Sequence, residues 1–263
     1  MPRPLPAQIS FLDLDFDPLD APQAARAMAE RARRNDAFAY VATPNVDHMV
    51  RLEQQPELRS LYADAWLNLC DSRILELFAR ASRLALPSAP GADIVELLFR
   101  EHIRASDTVL VVGGSARLAD KLREDFGLRD LRWFDAPHGL RTNAAARAEC
   151  VDFIAANPAA YIFLAVGSPQ QEMIAREARE AGCTGVAICC GAALEFLSGE
   201  TQRAPKWMRQ ARLEWLHRLG SEPGRLWRRY IVDGPRIFGI WRRWSAAEAR
   251  SSANASAVAV SPR

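Results

Sequence analysis

The chain has 263 residues, 49% apolar and 25% charged, which suits one large α/β core or a domain plus an appendage and excludes a disordered polyelectrolyte. No apolar run reaches the ~18 residues of a membrane span, and the N-terminal stretch lacks the apolar segment of a secretory leader. The net charge of +2 conceals a division: residues 1–200 carry −7, residues 201–244 carry +8, and five of the seven tryptophans fall in 201–244.

The five cysteines (Cys70, Cys150, Cys183, Cys189, Cys190) form no C-x2-C pair. Neither a zinc module nor a disulfide framework is expected, and a reducing, cytoplasmic setting is. The composition boundary predicts an α/β core over 1–200, a basic, Trp-rich appendage over 201–244 and a disordered tail over 245–263.

Taken in order, residues 9–16 read as an edge strand. Alternation along it places Phe11, Asp13 and Asp15 on one face and Leu12, Leu14 and Phe16 on the other. Its Asp13-Leu14-Asp15 could be taken for a metal-binding DxD, but a solvated acidic face explains it better. Residues 21–34 follow as a helix with Ala25, Met28, Ala29 and Ala32 inward. A strand over 38–42 ends in Thr43-Pro44-Asn45, and a helix over 46–54 comes next. Thr43 and Asn45 thus offer donor and acceptor groups at a strand end, although Asn45 fits a plain N-cap as well. A short strand over 65–70 runs straight into Asp71. A carboxylate at such a place is a candidate general base or a cap for the helix over 72–81.

Residues 92–103 read as a helix and 108–112 as a strand closed by Gly113-Gly114-Ser115, ahead of a helix over 116–126. Strand, glycine turn and helix in that order make a phosphate cradle, without a full G-x-G-x-x-G or P-loop pattern. A strand over 131–135, a loop holding His138 and a helix over 142–155 follow. Residues 161–166 and 185–190 are two further apolar strands, each stopping at a glycine. Gly167-Ser168-Pro169 leads into a helix over 170–181, and Gly191-Ala192 opens another that ends at Ser198-Gly199. Ligands of parallel sheets sit at the carboxyl ends of strands, over helix N-termini. Ser168, Gln171, Glu172 and Glu195 therefore stand where a nucleotide or sugar would be held. Ser168 could equally just cap a helix, with Gln171 and Glu172 lining its exposed first turn. The alternation of strand and helix predicts a mostly parallel, Rossmann-like α/β sheet with helices on both faces, plus a basic helical C-terminal appendage.

Several pieces together resemble the WecG/TagA/CpsF family of bacterial glycosyltransferases: Thr43-Pro44-Asn45, Asp71, Gly91-x-Asp93, Gly167-Ser168-Pro169-x-Gln171-Glu172, Gly191-Ala192 with Phe196-x-x-Gly199, and Arg203-Ala204-Pro205. The most specific are Leu213-Glu214-Trp215-Leu216-x-Arg218-Leu219 and Glu222-Pro223-x-Arg225-Leu226-x-Arg228-Arg229-Tyr230. The resemblance implies an inverting, metal-independent hexosyl- or N-acetylhexosaminyl-type transferase without a cofactor. It would move a sugar from a UDP-sugar donor to a polyprenyl-diphosphate-linked sugar in surface or exopolysaccharide synthesis. Such an enzyme would be peripheral on the inner face of the cytoplasmic membrane. Asp71 would be the base, Thr43, Asn45 and Gln171 would line its pocket, Asp93 and Arg203 would bind substrate, and Arg218, Arg225 and Arg228 would serve the diphosphate. Gly113, Gly114, Ser168, Glu172 and Glu195 complete the expected substrate-binding set, with no metal ligand.

The chain departs from the family pattern at Ser72 (usually Gly), at Ser88 (usually Arg) and at Leu194-Glu195 (usually Phe-Asp). Arg73 and Arg83 are candidates to replace the lost cation. The basic appendage, with Trp207, Trp215, Trp227, Trp241 and Trp244 among arginines, predicts docking to an anionic membrane surface. The alternatives are a nucleic-acid-binding protein, a nucleotide-dependent oxidoreductase and a degenerate, non-catalytic family member. The first lacks a recognisable nucleic-acid module and the second a dinucleotide fingerprint, so no nucleic-acid partner is expected. A homo-oligomer is compatible with the sequence.

Overall fold

Six of the apolar runs pair, all in parallel, into one sheet, which reads across as 67–68, 39–42, 186–189, 161–165, 108–113 and 130–134. The computed structural model describes residues 5–34, 36–202, 204, 205, 208, 219, 220, 224 and 227–259. The strands are β3 (Ala39–Ala42), β4 (Leu67–Asn68), β5 (Thr108–Gly113), β6 (Asp130–Phe134), β7 (Tyr161–Ala165) and β8 (Val186–Cys189). Between them lie α1 (Ala21–Ala32), α2 (Val46–Gln54), α3 (Ser60–Ala63), α4 (Arg73–Ala81), α5 (Gly91–Leu97), α6 (Ala116–Phe126), α7 (Ala144–Ala156), α8 (Gln170–Glu180) and α9 (Ala193–Ser198). The expected α/β architecture is present.

Side chains alternate across the strands. Val109, Val111, Tyr161, Phe163 and Ile188 pack on one face with Met28 of α1, Ile94 of α5, Leu118 of α6 and Leu194 of α9. Leu110, Val112, Ile162, Leu164 and Ala187 pack on the other with Ile154 of α7 and Ile174 and Ala178 of α8. Both faces are thus covered, which is why the strands read as unbroken apolar runs. All five cysteines are free and buried.

The N-terminal stretch is a hairpin rather than one strand. β1 (Ile9–Phe11) pairs antiparallel with β2 (Leu14–Phe16), and Leu12 and Asp13 turn at φ 55° and 58°. That turn overrides simple alternation. Phe11, Leu12, Leu14 and Phe16 all go inward, while Asp13 and Asp15 stay exposed. Burying Leu12, 1% exposed, offsets the cost of its left-handed backbone. Asp13 faces Arg59 at 3.7 Å, and among the described residues no group of three His, Cys, Asp or Glu side chains could hold a metal.

After the appendage's π-helical turn Arg228–Asp233, helix α10 (Arg236–Ala259) folds back on the core. It runs through position 245, where a loose tail is expected from the sequence. Ile237, Ile240, Trp241 and Trp244 follow the i, i+3, i+4, i+7 rule and pack with the hairpin, α2 and α4. Trp241 stacks on Phe78 at 4.9 Å between centroids and donates from Nε1 to Ser82 Oγ at 2.9 Å. Trp244 meets Phe11 edge-on at 5.1 Å, and Arg243 pairs with Glu53. The expected boundary at residue 200 therefore separates compositions, but α10 shares a core with residues 1–200. Trp241 and Trp244, counted among the membrane-facing tryptophans from sequence, point into that core. No helix among the described residues is long and apolar enough to cross a membrane.

Trp241→Ala removes the stack and the Ser82 hydrogen bond together. We expect it to cost about 2–3 kcal/mol of stability, read as a lowered midpoint in denaturant titration. An unchanged midpoint would show that α10 does not add to the stability of the core.

Candidate active site

In a parallel sheet every strand delivers its carboxyl end to the same edge. Read across the sheet, that edge presents Asp71 after β4, Thr43-Pro44-Asn45 after β3, Gly191 after β8, Gly167-Ser168 after β7 and Gly113-Gly114-Ser115 after β5. The chain leaves β5 toward β6 and leaves β7 in the opposite direction toward β8, so a topological switch point lies between β5 and β7. Crevices at such points bind ligands in open α/β sheets.

Local structure fixes these residues one by one. The Thr43 hydroxyl donates to the Cys189 carbonyl at 3.2 Å, tying the end of β3 to β8. A side chain on Gly91 would press on Thr43 Oγ1 at 3.2 Å, so α5 starts hard against that strand end. Asn45 caps α2, its Oδ1 accepting from the Asp47 N–H at 3.1 Å. Asp71 is held by its own N–H, which donates to the Pro44 carbonyl at 3.0 Å, and its side chain is half-buried. Ser72 is extended at φ −161° and caps α4. Its replacement of the family's glycine therefore requires no special backbone angle. Asp93 lies half-buried in the first turn of α5.

Gly113 stands at φ +89°, where an added Cβ would lie 2.7 Å from Val166 Cγ1. The residue must be glycine for β5 and β7 to close up. Gly114 is exposed and Ser115 caps α6, its Oγ accepting from the Leu118 N–H at 3.0 Å and donating to Glu200 at 3.1 Å. Glu195, in the first turn of α9, accepts from Thr201 Oγ1 at 3.2 Å.

Gln171 and Glu172 do not line an exposed first turn. They are 4% and 1% exposed and form the floor beneath the strand ends. Gln171 Oε1 accepts from the Gly191 N–H at 3.0 Å, and its Nε2 donates to Glu172 Oε1 at 2.9 Å. Burial raises the Glu172 carboxyl above its ordinary value, against the hydrogen bond from Gln171. Ser168 accepts from Arg51 Nη1 at 2.9 Å, and Arg51 also pairs with Asp47 at 2.7 Å.

Sequence reasoning did not single out His48, Arg51 or Tyr62. His48 Nε2 lies 3.8 Å from Glu172, and its ring meets Tyr62 edge-on. Burial pushes the Tyr62 hydroxyl well above its ordinary value. The available signal was spacing: His48 and Arg51 stand three and six residues after Asn45, on one face of α2. Of the candidate replacements for the missing cation, Arg73 pairs outward with Glu76 and Arg83 is exposed. Arg51 is instead the cation held at the Gly167-Ser168 turn. Ser88 itself is 8% exposed, and its Oγ has no hydrogen-bond partner. Arg203, Arg218 and Arg225 lie outside the described residues, as do Trp207 and Trp215. Arg228 opens the π-helical turn.

The raised Glu172 carboxyl gives a signed pH dependence. The folded chain holds this proton more tightly than the unfolded chain, whose carboxyl ionises near 4.5. Wild type therefore loses stability relative to a variant that cannot ionise as pH rises from there through the folded-state value. The Tm of Glu172→Gln minus that of wild type is expected to grow more positive between pH 4 and pH 7. A flat or falling difference would refute the burial of an ionisable carboxyl.

Comparison with known families bears on the whole arrangement. Residues 9–251 match the glycosyl transferase WecG/TagA/CpsF family, a span holding both the sheet edge and most of α10. A glycosyltransferase requires a sugar donor and an acceptor, and the strand-end crevice is where this fold places ligands. The chain belongs to the WecG/TagA/CpsF family of glycosyl transferases.

Proposed function

We propose that the protein is an inverting, metal-independent hexosyl- or N-acetylhexosaminyl-type transferase that uses no cofactor. The donor is a UDP-sugar and the acceptor a polyprenyl-diphosphate-linked sugar, in surface or exopolysaccharide synthesis. The observation that carries this reading is the placement of Asp71. Its N–H is anchored to the Pro44 carbonyl, which brings the Asp71 backbone against the Thr43-Pro44-Asn45 turn at the carboxyl edge of the sheet.

In this mechanism the acceptor hydroxyl attacks the anomeric carbon while Asp71 takes its proton. The bond to the nucleoside diphosphate breaks on the opposite face, which inverts the configuration. The departing diphosphate needs donors and positive charge. The N–H groups around Gly113-Gly114-Ser115, at the start of α6, lie four strands from β4 and would hold the more distant, nucleoside end of the donor. The arginines of the appendage (Arg203, Arg218, Arg225 and Arg228) would supply both donors and charge to the diphosphate. Thr43, Asn45, Asp93 and Glu195 would complete the pocket wall, with Gln171 and Glu172 beneath it.

Membrane docking belongs to the same reading. Residues 201–244 carry +8, and Trp227, Ile231, Val232 and Phe238 are each about half exposed along the described part of the appendage. Apolar and basic groups together suit the surface of an anionic leaflet, where each Lys or Arg contributes on the order of 1 kcal/mol.

Asp71→Asn keeps the shape of the side chain and removes its basicity. Sugar transfer from a UDP-sugar to a lipid-linked acceptor should fall by about 10²–10⁴-fold while the melting curve stays put. Near-normal turnover in the purified variant would rule Asp71 out as the base. Flotation with vesicles tests the docking. The chain should float with anionic and not with neutral lipid, and a Trp227→Ser, Ile231→Ser, Phe238→Ser triple variant should float much less. Equal flotation of the variant and wild type would remove this patch from the membrane contact.

A further inference from the structure

Among the described residues, the most enclosed charge-bearing group at the sheet edge is the Glu172 carboxyl, 1% exposed. Burying an ionisable carboxyl is costly, and an apolar side chain would fill the space at less expense. Its surroundings show what it does there. Three neighbours contact it, and each leads to a different strand end. Gln171 donates to it from Nε2 and uses Oε1 to receive the Gly191 N–H after β8. His48 presents Nε2 to it at 3.8 Å and receives the Asn45 N–H, after β3, on Nδ1 at 3.2 Å. The Ser168 hydroxyl, after β7, also faces it.

The amide of Gln171 could be turned either way round on its own, since it has an oxygen at one end and an NH₂ at the other. A carboxyl oxygen on the NH₂ side fixes the sense. The amide oxygen must then face Gly191, whose N–H would otherwise lose its acceptor. The remaining groups facing Glu172 do not compete for this role. Arg51 on α2 is engaged by Asp47 and Ser168. Tyr62 on α3 and Cys189 on β8 are both pushed by burial well above their ordinary values and stay neutral near neutral pH.

We propose that Glu172 is a positioning residue: its carboxyl fixes the Gln171 amide on the Gly191 N–H and, with His48 and Ser168, locks the ends of β3, β7 and β8 together, so that the donor pocket is preformed. Glu172 does not touch substrate in this scheme. Its kinetic consequence rests on the transferase reading above; the locking of the loops does not.

The test uses the full chain with Glu172→Leu and Glu172→Gln, and two readouts. The first is the exchange rate of the Gly191 amide hydrogen without substrate. The second is the separate kcat and KM for the UDP-sugar. Glu172→Leu removes the acceptor. Gly191 exchange should rise about tenfold or more, the scale of one hydrogen bond, and KM for the donor should rise about tenfold with a smaller fall in kcat. Glu172→Gln keeps an acceptor oxygen and should return both readouts to within about threefold of wild type. It is close to isosteric, so it remains informative if the leucine variant does not fold. Unchanged Gly191 exchange in a folded Glu172→Leu overturns the proposal. A Glu172→Gln variant whose Gly191 exchange rises tenfold also overturns it, because an acceptor oxygen would then not be what matters. Faster Gly191 exchange in Glu172→Leu, in a protein that shows no sugar transfer even as wild type, would support the loop lock and count against the transferase reading alone.

Discussion

The pairing of β3 with β8 joins two halves of the molecule that are far apart in sequence. Ala39, Tyr40 and Val41 lie in register with Val186, Ala187 and Ile188, and the Thr43 hydroxyl extends the contact past the end of the ladder to the Cys189 carbonyl. On one side stand β3 and β4 with Thr43, Asn45 and Asp71. On the other stand β8, β7, β5 and β6 with Gly191, Ser168 and the Gly113-Gly114 turn. Without that seam the Asp71 strand end and the Gly113-Gly114 turn would belong to separate surfaces. The helices that cover it are set by the same alternation of side chains that builds the sheet.

Charge at the site is arranged in depth. The carboxyl of Glu172 is sunk below the edge, where its Oε1 accepts from Gln171, while the Asp71 side chain stays half-buried at the rim. Arg51 bridges α2 and the turn after β7, and its guanidinium is already shared between Asp47 and Ser168. The acidic core thus commits its nearest cation to structure, while positive charge is concentrated after residue 200, and α10 returns part of that stretch to the body of the protein.

Two capped helices were legible to the residue. α2 starts after Asn45 and α6 after Ser115, because an Asn or Ser before an apolar-periodic run has one favoured role. The N-terminal hairpin was not legible. Two successive non-glycine residues at positive φ are locally unfavourable, and only the burial of Leu12 justifies them. The fate of Trp241 and Trp244 was hidden for a related reason, since an amphipathic stripe looks the same whether lipid or protein covers it. Motifs at strand ends revealed the loops of the site. They did not reveal which side of a helix's first turn faces down, so Gln171 and Glu172 read as surface groups. His48 and Arg51 went unnoticed because their significance lies in contacts with residues more than a hundred positions away.

The edge-to-face contact of Phe11 with Trp244 has a consequence for how the protein is made. Strand β1 waits for helix α10. At ribosomal rates, the residues between them take roughly 10–50 s to emerge. Throughout that interval the apolar side of the β1–β2 hairpin lacks part of its cover. A nascent chain halted before Trp244 would carry Phe11 uncovered, open to chaperones or to other unfinished chains.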